Sequence, residues 1–249
     1  MLASGERADV GVGDAFDEGA PYDLVIVTTL AHQVAPLLPV LRRSAARAVQ
    51  CMFVTLDGER IAEAIGTGRC TLGMPFVRAT LDADGKLDAI VGRGPKTLHG
   101  ERRWADLFAA AGIPSAFEPE MPRWLKCHAP LTIAFESISV YGVRRGGGAS
   151  GMQAMNVARG LRASYSILEA HGIRPYPRPK AAIARTPTVI LAALLWCASR
   201  VTSFRELLAT GRQECRALID AMATLAQSAT PPLDAAAAAV RAIEPVIEA

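Results

Sequence analysis

Lys126, Cys127 and His128 stand in a row in the stretch WLKCHAP, at the head of an apolar segment, LTIAFESISVYGV, that runs to Val143. A lysine drawn into apolar surroundings holds its proton less tightly and becomes a usable proton donor near neutral pH. The alternative for Lys126, close to a helix start, is to lay its methylenes on apolar surface and keep its ammonium in water. Cys127 and His128 are the residue types of a nucleophilic or metal-binding pair. Neighbours on a helix point about 100° apart, however, and no third ligand is near, so neither a metal site nor a catalytic pair is expected. Further on, Glu214 opens the stretch ECRALIDAMATLA, as a site carboxylate or as a solvated charge near Arg216 and Leu218. Thr202 and Ser203 stand ahead of a helical stretch, where the first role of such residues is to cap it.

The elements that must position these residues fall into two textures. Tyr22 to Thr29, Ala48 to Thr55 and Cys70 to Pro75 read as short buried strands, with helical stretches at Gln33 to Arg43 and Gly58 to Gly66 between them. That alternation suggests a parallel sheet covered on both faces. Asp84-Gly85 sits between two strand-like runs and predicts a hairpin. A helix over Arg102 to Ala111 and a strand over Ser115 to Phe117 close the α/β part, residues 22–118. From Met121 the pattern turns helical, with helices expected over Pro122 to Arg145, Met152 to His171, Thr188 to Ser199, Ser203 to Ala226 and Leu233 to Glu248, a domain of residues 119–249. On the first of these, Lys126 shares a face with Ala129, Ile133 and Val140, while Leu125, His128, Leu131, Phe135 and Ile138 line another. The helix is apolar most of the way round and is expected to be buried.

Composition excludes several classes of function. The 249 residues carry a net charge of +3, with 27 basic residues interleaved among 24 acidic ones, so no basic stripe marks a nucleic-acid partner. The five cysteines are odd in number, scattered and never in CxxC spacing, which argues for reduced thiols in cytoplasm. Residues 1–21 form a polar, acidic tail without the apolar core of a signal peptide. The longest apolar run, Thr188 to Ala198, is shorter than the roughly 20 residues that span a bilayer, so no membrane partner is expected.

Four stretches taken in order, YDLVIVTTLAHQV, CTLGMPFVRATLDADGKLDAIVG, MPRWLKCHAP and GRQECRALIDAMATLA, resemble the ketopantoate reductases (2-dehydropantoate 2-reductases). The resemblance implies a Rossmann-like NAD(P)-binding domain followed by a helical domain like that of 6-phosphogluconate dehydrogenase. It implies NADPH-dependent reduction of a small 2-keto acid to a 2-hydroxy acid, of the 2-dehydropantoate to pantoate type in pantothenate biosynthesis. Lys126 falls on the family's catalytic lysine, where it would hydrogen-bond the keto oxygen and donate a proton as hydride arrives. Glu214 falls on the glutamate that binds substrate hydroxyls, Thr202 and Ser203 near the substrate-site serine, and Gln33 on a cofactor-side position.

The departures lie on the cofactor side. A dinucleotide domain opens with a strand, GxGxxG and a helix, a unit of about 30 residues or more. Only residues 1–21 precede the first strand here, and GVGDAF at Gly11 to Phe16 has neither a strand before it nor a helix after it. The phosphate cradle is therefore expected to be missing and the Rossmann domain truncated. Leu30 stands where the family has a cofactor lysine, Val54 where it has an asparagine, and Pro130 where many members have another asparagine. These changes predict weak or absent turnover, with a non-catalytic remnant acting as a helical dimerisation or ligand-binding module as the alternative. A half-built sheet would expose an apolar edge and invite a homodimer.

Overall fold

The computed structural model describes residues 11, 13–81, 87–91, 94–209 and 212–245. The chain divides into two compact units: one runs to Phe53 and resumes over Asp57–Pro122, and the other takes in Val54–Leu56 and the chain from Arg123.

The first unit is a five-stranded sheet in the order β1-β2-β3-β6-β7, beside a two-stranded ribbon, β4-β5. Strands β1 (Val25–Val27), β2 (Val49–Met52) and β3 (Cys70–Met74) are parallel. Every residue of β2 is buried, the signature of a strand covered on both faces. Pro36 and Pro39 shape the connection after β1. It runs as two 3-10 turns, Ala31–Gln33 and Ala35–Leu37, before α1 (Leu38–Arg43), rather than as the single helix expected from Gln33. Helix α2 (Gly58–Ile65) leads into β3.

The wholly parallel sheet read from the alternation is not what forms, because β6 (Thr97–His99) runs antiparallel to β3, pairing Gly73 with His99 and Met74 with Leu98. The ribbon explains the reversal. Strands β4 (Val77–Leu81) and β5 (Leu87–Val91) pair antiparallel from Val77–Val91 to Leu81–Leu87, so the chain returns to the point it left. The expected Asp84-Gly85 turn lies outside the described residues. Gly73 has no room for a side chain, since an added Cβ would stand 2.8 Å from the Leu98 carbonyl oxygen. Helix α3 (Arg102–Ala110) then returns the chain to β7 (Ser115–Phe117), parallel to β6.

One side chain fastens this unit. The Arg69 guanidinium donates to the carbonyl oxygens of Ser44 at 2.7 Å, Ala46 at 2.9 Å and Arg42 at 2.8 Å, and to that of Leu41. These acceptors lie at and just beyond the C-terminus of α1, the Leu41 oxygen also taking the Ser44 hydroxyl at 2.8 Å, and a cation there is favoured by the helix dipole.

The second unit is helical. Helix α4 spans Met121–Arg144 and buries Leu125, Cys127, Ala129, Ile133, Ala134 and Ile138 completely. Pro130 sits inside it and has no N–H to give to the Lys126 carbonyl, four residues back. Helix α5 (Gly151–Ala170) starts on a capping box in which the Ser150 and Gln153 side chains each accept the other's backbone N–H, at 3.1 and 2.8 Å. Its Tyr165, 2% exposed, donates to the Cys127 carbonyl at 3.2 Å. Helices α6 (Arg178–Arg185) and α7 (Thr188–Ala198) follow. The proline-rich IRPYPRPK reads as a separator, yet Pro179 falls in the first turn of α6, the place a helix tolerates proline best. The single helix expected over Ser203 to Ala226 is two, α8 (Thr202–Leu208) and α9 (Arg212–Gln227); Thr210 and Gly211 lie outside the described residues. Helix α10 (Asp234–Arg241) completes the unit, and residues 246–249 lie outside the described residues. Among the described residues no single helix is long and apolar enough to cross a membrane.

Candidate active site

Helix α4 presents two stripes of polar and titratable groups. Lys126, Ile133 and Ser137 lie at intervals of seven and four residues and so share one face. That face meets the start of α9: Ser137 Oγ and Cys215 Sγ are 3.5 Å apart in hydrogen-bond contact, and Cys215 Sγ donates to the Ile133 carbonyl at 3.8 Å. Lys126 is half-buried between Leu125 and Cys127, both 0% exposed. Seven residues of helix set it about 10 Å from Ile133 along the axis.

Glu214, in the first turn of α9, is half-buried rather than a solvated face charge, and burial raises its pKa. Arg216, its neighbour, turns away to Glu244 at 3.4 Å. The carboxyl that faces Glu214 electrostatically is Glu136 of α4. It is 6% exposed, and its Oε2 has no hydrogen-bond partner. Burial, then the Glu214 charge, push Glu136 up to about 9 against a hydrogen bond from Cys215, so at neutral pH it carries a proton. One turn further along α4, Ser139 Oγ is also buried without a partner. Burial pushes the Cys215 thiol up to about 12. The sequence signal for Glu136 was a lone acid inside the apolar run AFESIS, which no reading of spacing singled out.

The second stripe of α4 carries Trp124 and His128, stacked with ring centroids 4.5 Å apart. Lys180 of α6, 6% exposed, lies with Nζ 3.3 Å from the centroid of the Trp124 ring and donates to the Trp124 carbonyl at 2.9 Å. Burial, then the Lys180 charge, lower His128 to about 3 and keep it neutral. The deeply buried lysine of this unit is thus Lys180. Thr202 and Ser203 are exposed first residues of α8, whose cap position is Val201, so neither caps it; Thr202 Oγ1 accepts from Arg205 at 3.4 Å.

In the sheet unit, the Gln33 carboxamide oxygen accepts the Leu30 N–H at 3.0 Å and closes its own turn. A dinucleotide requires donors for its pyrophosphate and polar groups around its nicotinamide. Thr29 Oγ1, just past β1, is buried without a partner and suits a polar ligand. The other positions do not. Leu30 has no side-chain donor and Gln33 is engaged locally; Val54, which belongs to the helical unit, likewise has no donor and is 2% exposed. These residues do not fit a dinucleotide. A cleft of about 390 Å³ opens beside α2 and β3, lined by Glu59, Glu63, Thr71, Gly100 and Glu101, and none of the expected site residues lines it. Among the described residues no group of three or more His, Cys, Asp or Glu side chains is placed to hold a metal ion.

The architecture is a Rossmann-like sheet unit with a helical C-terminal part, the fold of ketopantoate reductases and related dehydrogenases. A probable 2-dehydropantoate 2-reductase of Bacillus subtilis superposes with a TM-score of 0.62 at 14% identity, over 96% of this chain and 82% of that one. A PanE/ApbA family ketopantoate reductase of Ralstonia eutropha gives 0.59 at 18%, over 89% and 76%. A D-mandelate dehydrogenase in complex with NADH gives 0.60 at 14%, over 89% and 78%. No family model matches the sequence. No curated protein matches it either.

Proposed function

We propose that the chain is an oxidoreductase of the ketopantoate reductase type, acting in a cytoplasmic setting on a small 2-keto acid, 2-dehydropantoate or a close analogue, toward the 2-hydroxy acid, with NADPH as the reductant of that type although Leu30, Val54 and Gln33 do not supply its contacts. The observation that supports this reading is the contact between α4 and the start of α9, where Ser137, on the Lys126 face, meets Cys215, the residue after Glu214. The Lys126 ammonium donates to the keto oxygen and passes it a proton as that oxygen becomes a hydroxyl. Glu214 accepts from a hydroxyl at the far end of the substrate. Thr202 and Ser203 add hydroxyls to this end, and Gln33 marks the cofactor side.

A second reading is favoured by Leu30 and Val54: a ligand-binding module of the same fold that holds the keto acid without hydride transfer. Charge-assisted bonds to phosphate contribute about 1.5–3 kcal/mol each, and losing two or three weakens binding by several powers of ten. NADPH is therefore expected to bind no better than about millimolar.

Calorimetric titration of the full chain with NADPH and with ketopantoate, alongside an absorbance assay of NADPH oxidation, separates the readings. Turnover that disappears in Lys126→Ala supports the reductase. Ketopantoate binding that falls at least tenfold in Lys126→Ala and Glu214→Gln, without turnover in the parent, supports the binding module. Absence of keto-acid binding in the parent chain overturns both.

A further inference from the structure

Charge is distributed unevenly along the helical unit. Between Glu169 and Glu206 the chain has no acid, while Arg174, Arg178, Lys180, Arg185, Arg200 and Arg205 are basic, an excess that the net charge of +3 conceals. Helix α7 lies inside this stretch and is itself uncharged, as is the chain from Thr186 to Ser199. Leu191, Ala192 and Leu195 are buried on one side of the helix. The other side is open to solvent: Val189 is 67% exposed, Ile190 51%, Leu194 61% and Val201, just past the helix, 52%. Arginines stand at both ends of this open face. At the C-terminal end the Arg200 guanidinium lies 3.2 Å from the centroid of the Trp196 ring, itself 38% exposed, and donates to the Trp196 carbonyl at 2.8 Å. The Ser199 hydroxyl accepts the Ala149 N–H at 3.0 Å, which fastens that end to the loop after α4, where Arg144 and Arg145 are exposed. At the N-terminal end Arg185 is exposed and Arg162 donates to the Thr186 carbonyl at 2.8 Å.

We propose that this arginine-flanked face of α7 docks the protein on an anionic lipid surface, with its apolar side chains in the headgroup layer and the arginines on lipid phosphates. Helices that lie in a membrane interface sink an apolar face about 5–10 Å into that layer, and their binding grows with apolar area and with attraction to anionic lipids. An indole is at home at the boundary between water and acyl chains. Arginine reaches the same level by laying its methylenes on apolar groups while its guanidinium meets phosphate. The 11 residues of α7 are too few to cross a bilayer, and its buried side rests on the body of the protein, so the helix lies on the membrane. Charge decides against the other occupants. A second copy seated on this face sets arginines against arginines in either orientation, because both ends carry them. A nucleic acid would satisfy the arginines and leave Ile190, Leu194 and Val201 against phosphate and water.

Flotation of the full chain with phosphatidylcholine–phosphatidylglycerol vesicles is expected to carry about tenfold more protein than flotation with phosphatidylcholine alone, and added salt should weaken it. Trp104 and Trp124 are buried, so a blue shift of tryptophan emission on adding vesicles, absent in Trp196→Phe, reports this face entering the lipid. Leu194→Glu is expected to lose flotation about tenfold with an unchanged thermal unfolding curve, since the replaced side chain is mostly solvent-exposed. Arg144→Gln combined with Arg145→Gln should weaken flotation several-fold and flatten its salt dependence. A parent chain that does not float with anionic vesicles overturns the proposal, as does equal binding to neutral and anionic vesicles or undiminished flotation of Leu194→Glu. Light scattering that gives twice the monomer mass for the parent and the monomer mass for Leu194→Glu also overturns it and assigns the face to a second copy of the chain.

Discussion

The two units bury polar groups in different ways. In the sheet unit the central network is neutral and largely engaged, although Thr29 Oγ1, Gln50 Oε1, Thr71 Oγ1 and Trp104 Nε1 are buried without partners and the buried Cys51 and Cys70 thiols are shifted in opposite directions. Gln50 Nε2 donates to His99 Nδ1 at 2.8 Å, His99 Nε2 donates to Ser115 Oγ at 3.3 Å, and Ser115 passes its own proton to the Ile113 carbonyl at 2.9 Å. This directed chain fixes one tautomer of a histidine whose pKa is lowered by burial. In the helical unit the buried groups are titratable and held far from their ordinary proton affinities: Glu136 up, Glu214 up, His128 down, with Lys180 buried beside an indole. Structural networks satisfy their members, whereas clustered groups driven out of their normal ranges mark places where a protein does chemistry or binds a ligand. The helical unit holds the shifted carboxyl groups, which supports the proposed placement of the site there.

The largest test of that contrast is Arg69→Met. Removing a guanidinium that serves five carbonyls, counting that of Ile65 at 3.4 Å, should destabilise the sheet unit by about 3 kcal/mol, because charge-assisted bonds are lost and, of the acceptors around α1, only the Leu41 oxygen keeps a side-chain donor, the Ser44 hydroxyl. Hydrogen exchange should show lost protection in α1 and β3 with little change in α9; equal loss in both units would erase the distinction. Glu136→Gln comes next. A carboxyl whose folded pKa is raised from 4.5 to about 9 contributes stability that is fully present below about 4.5 and is lost as pH rises toward 9. The variant should match the parent at pH 4 and exceed it by about 2 kcal/mol at pH 9 in urea denaturation. An advantage that grows toward low pH would show that Glu136 is ionised in the fold.

His99 supplies the counterpart in the sheet. Its folded pKa is depressed below 6.5, so its contribution is present above 6.5 and lost as pH falls. Exchange of β6 amides should reveal a loss of stability as pH falls from 6.5 to 5, and that slope should vanish in His99→Gln although the variant is less stable throughout. The smallest effect belongs to Ser203→Ala. At an exposed position that does not cap α8, stability should change by less than about 0.5 kcal/mol. A several-fold loss of ketopantoate affinity in the same variant would place Ser203 in the binding site, and an unchanged affinity would remove it.

Strands β1, β2 and β3 and helices α2, α3, α4, α5 and α7 were legible because each rests on local periodicity or on a continuous apolar run. Sequence patterns missed β6, three residues whose pairing depends on where the β4-β5 ribbon returns the chain. They missed α6 as well, since prolines that break a helix interior are admitted in its first turn. Lys126, Glu214, Thr202, Ser203 and Gln33 were named by resemblance, and their roles rest on the proposed function. Neither periodicity nor resemblance pointed to Glu136 or Lys180.

By itself the sequence determined which segments bury, that an α/β portion precedes a helical one, and which cofactor-side positions lack polar side chains. Those properties belong to the residues and their nearest neighbours along the chain. Tertiary structure alone decided that β6 runs against β3, that Glu136 faces Glu214, and that Lys180 reaches the carbonyl and ring of Trp124, 56 positions away. The reason is electrostatic and steric: a side chain's proton affinity and partners depend on the solvent excluded and the charges brought near by distant segments, and linear spacing carries no record of either.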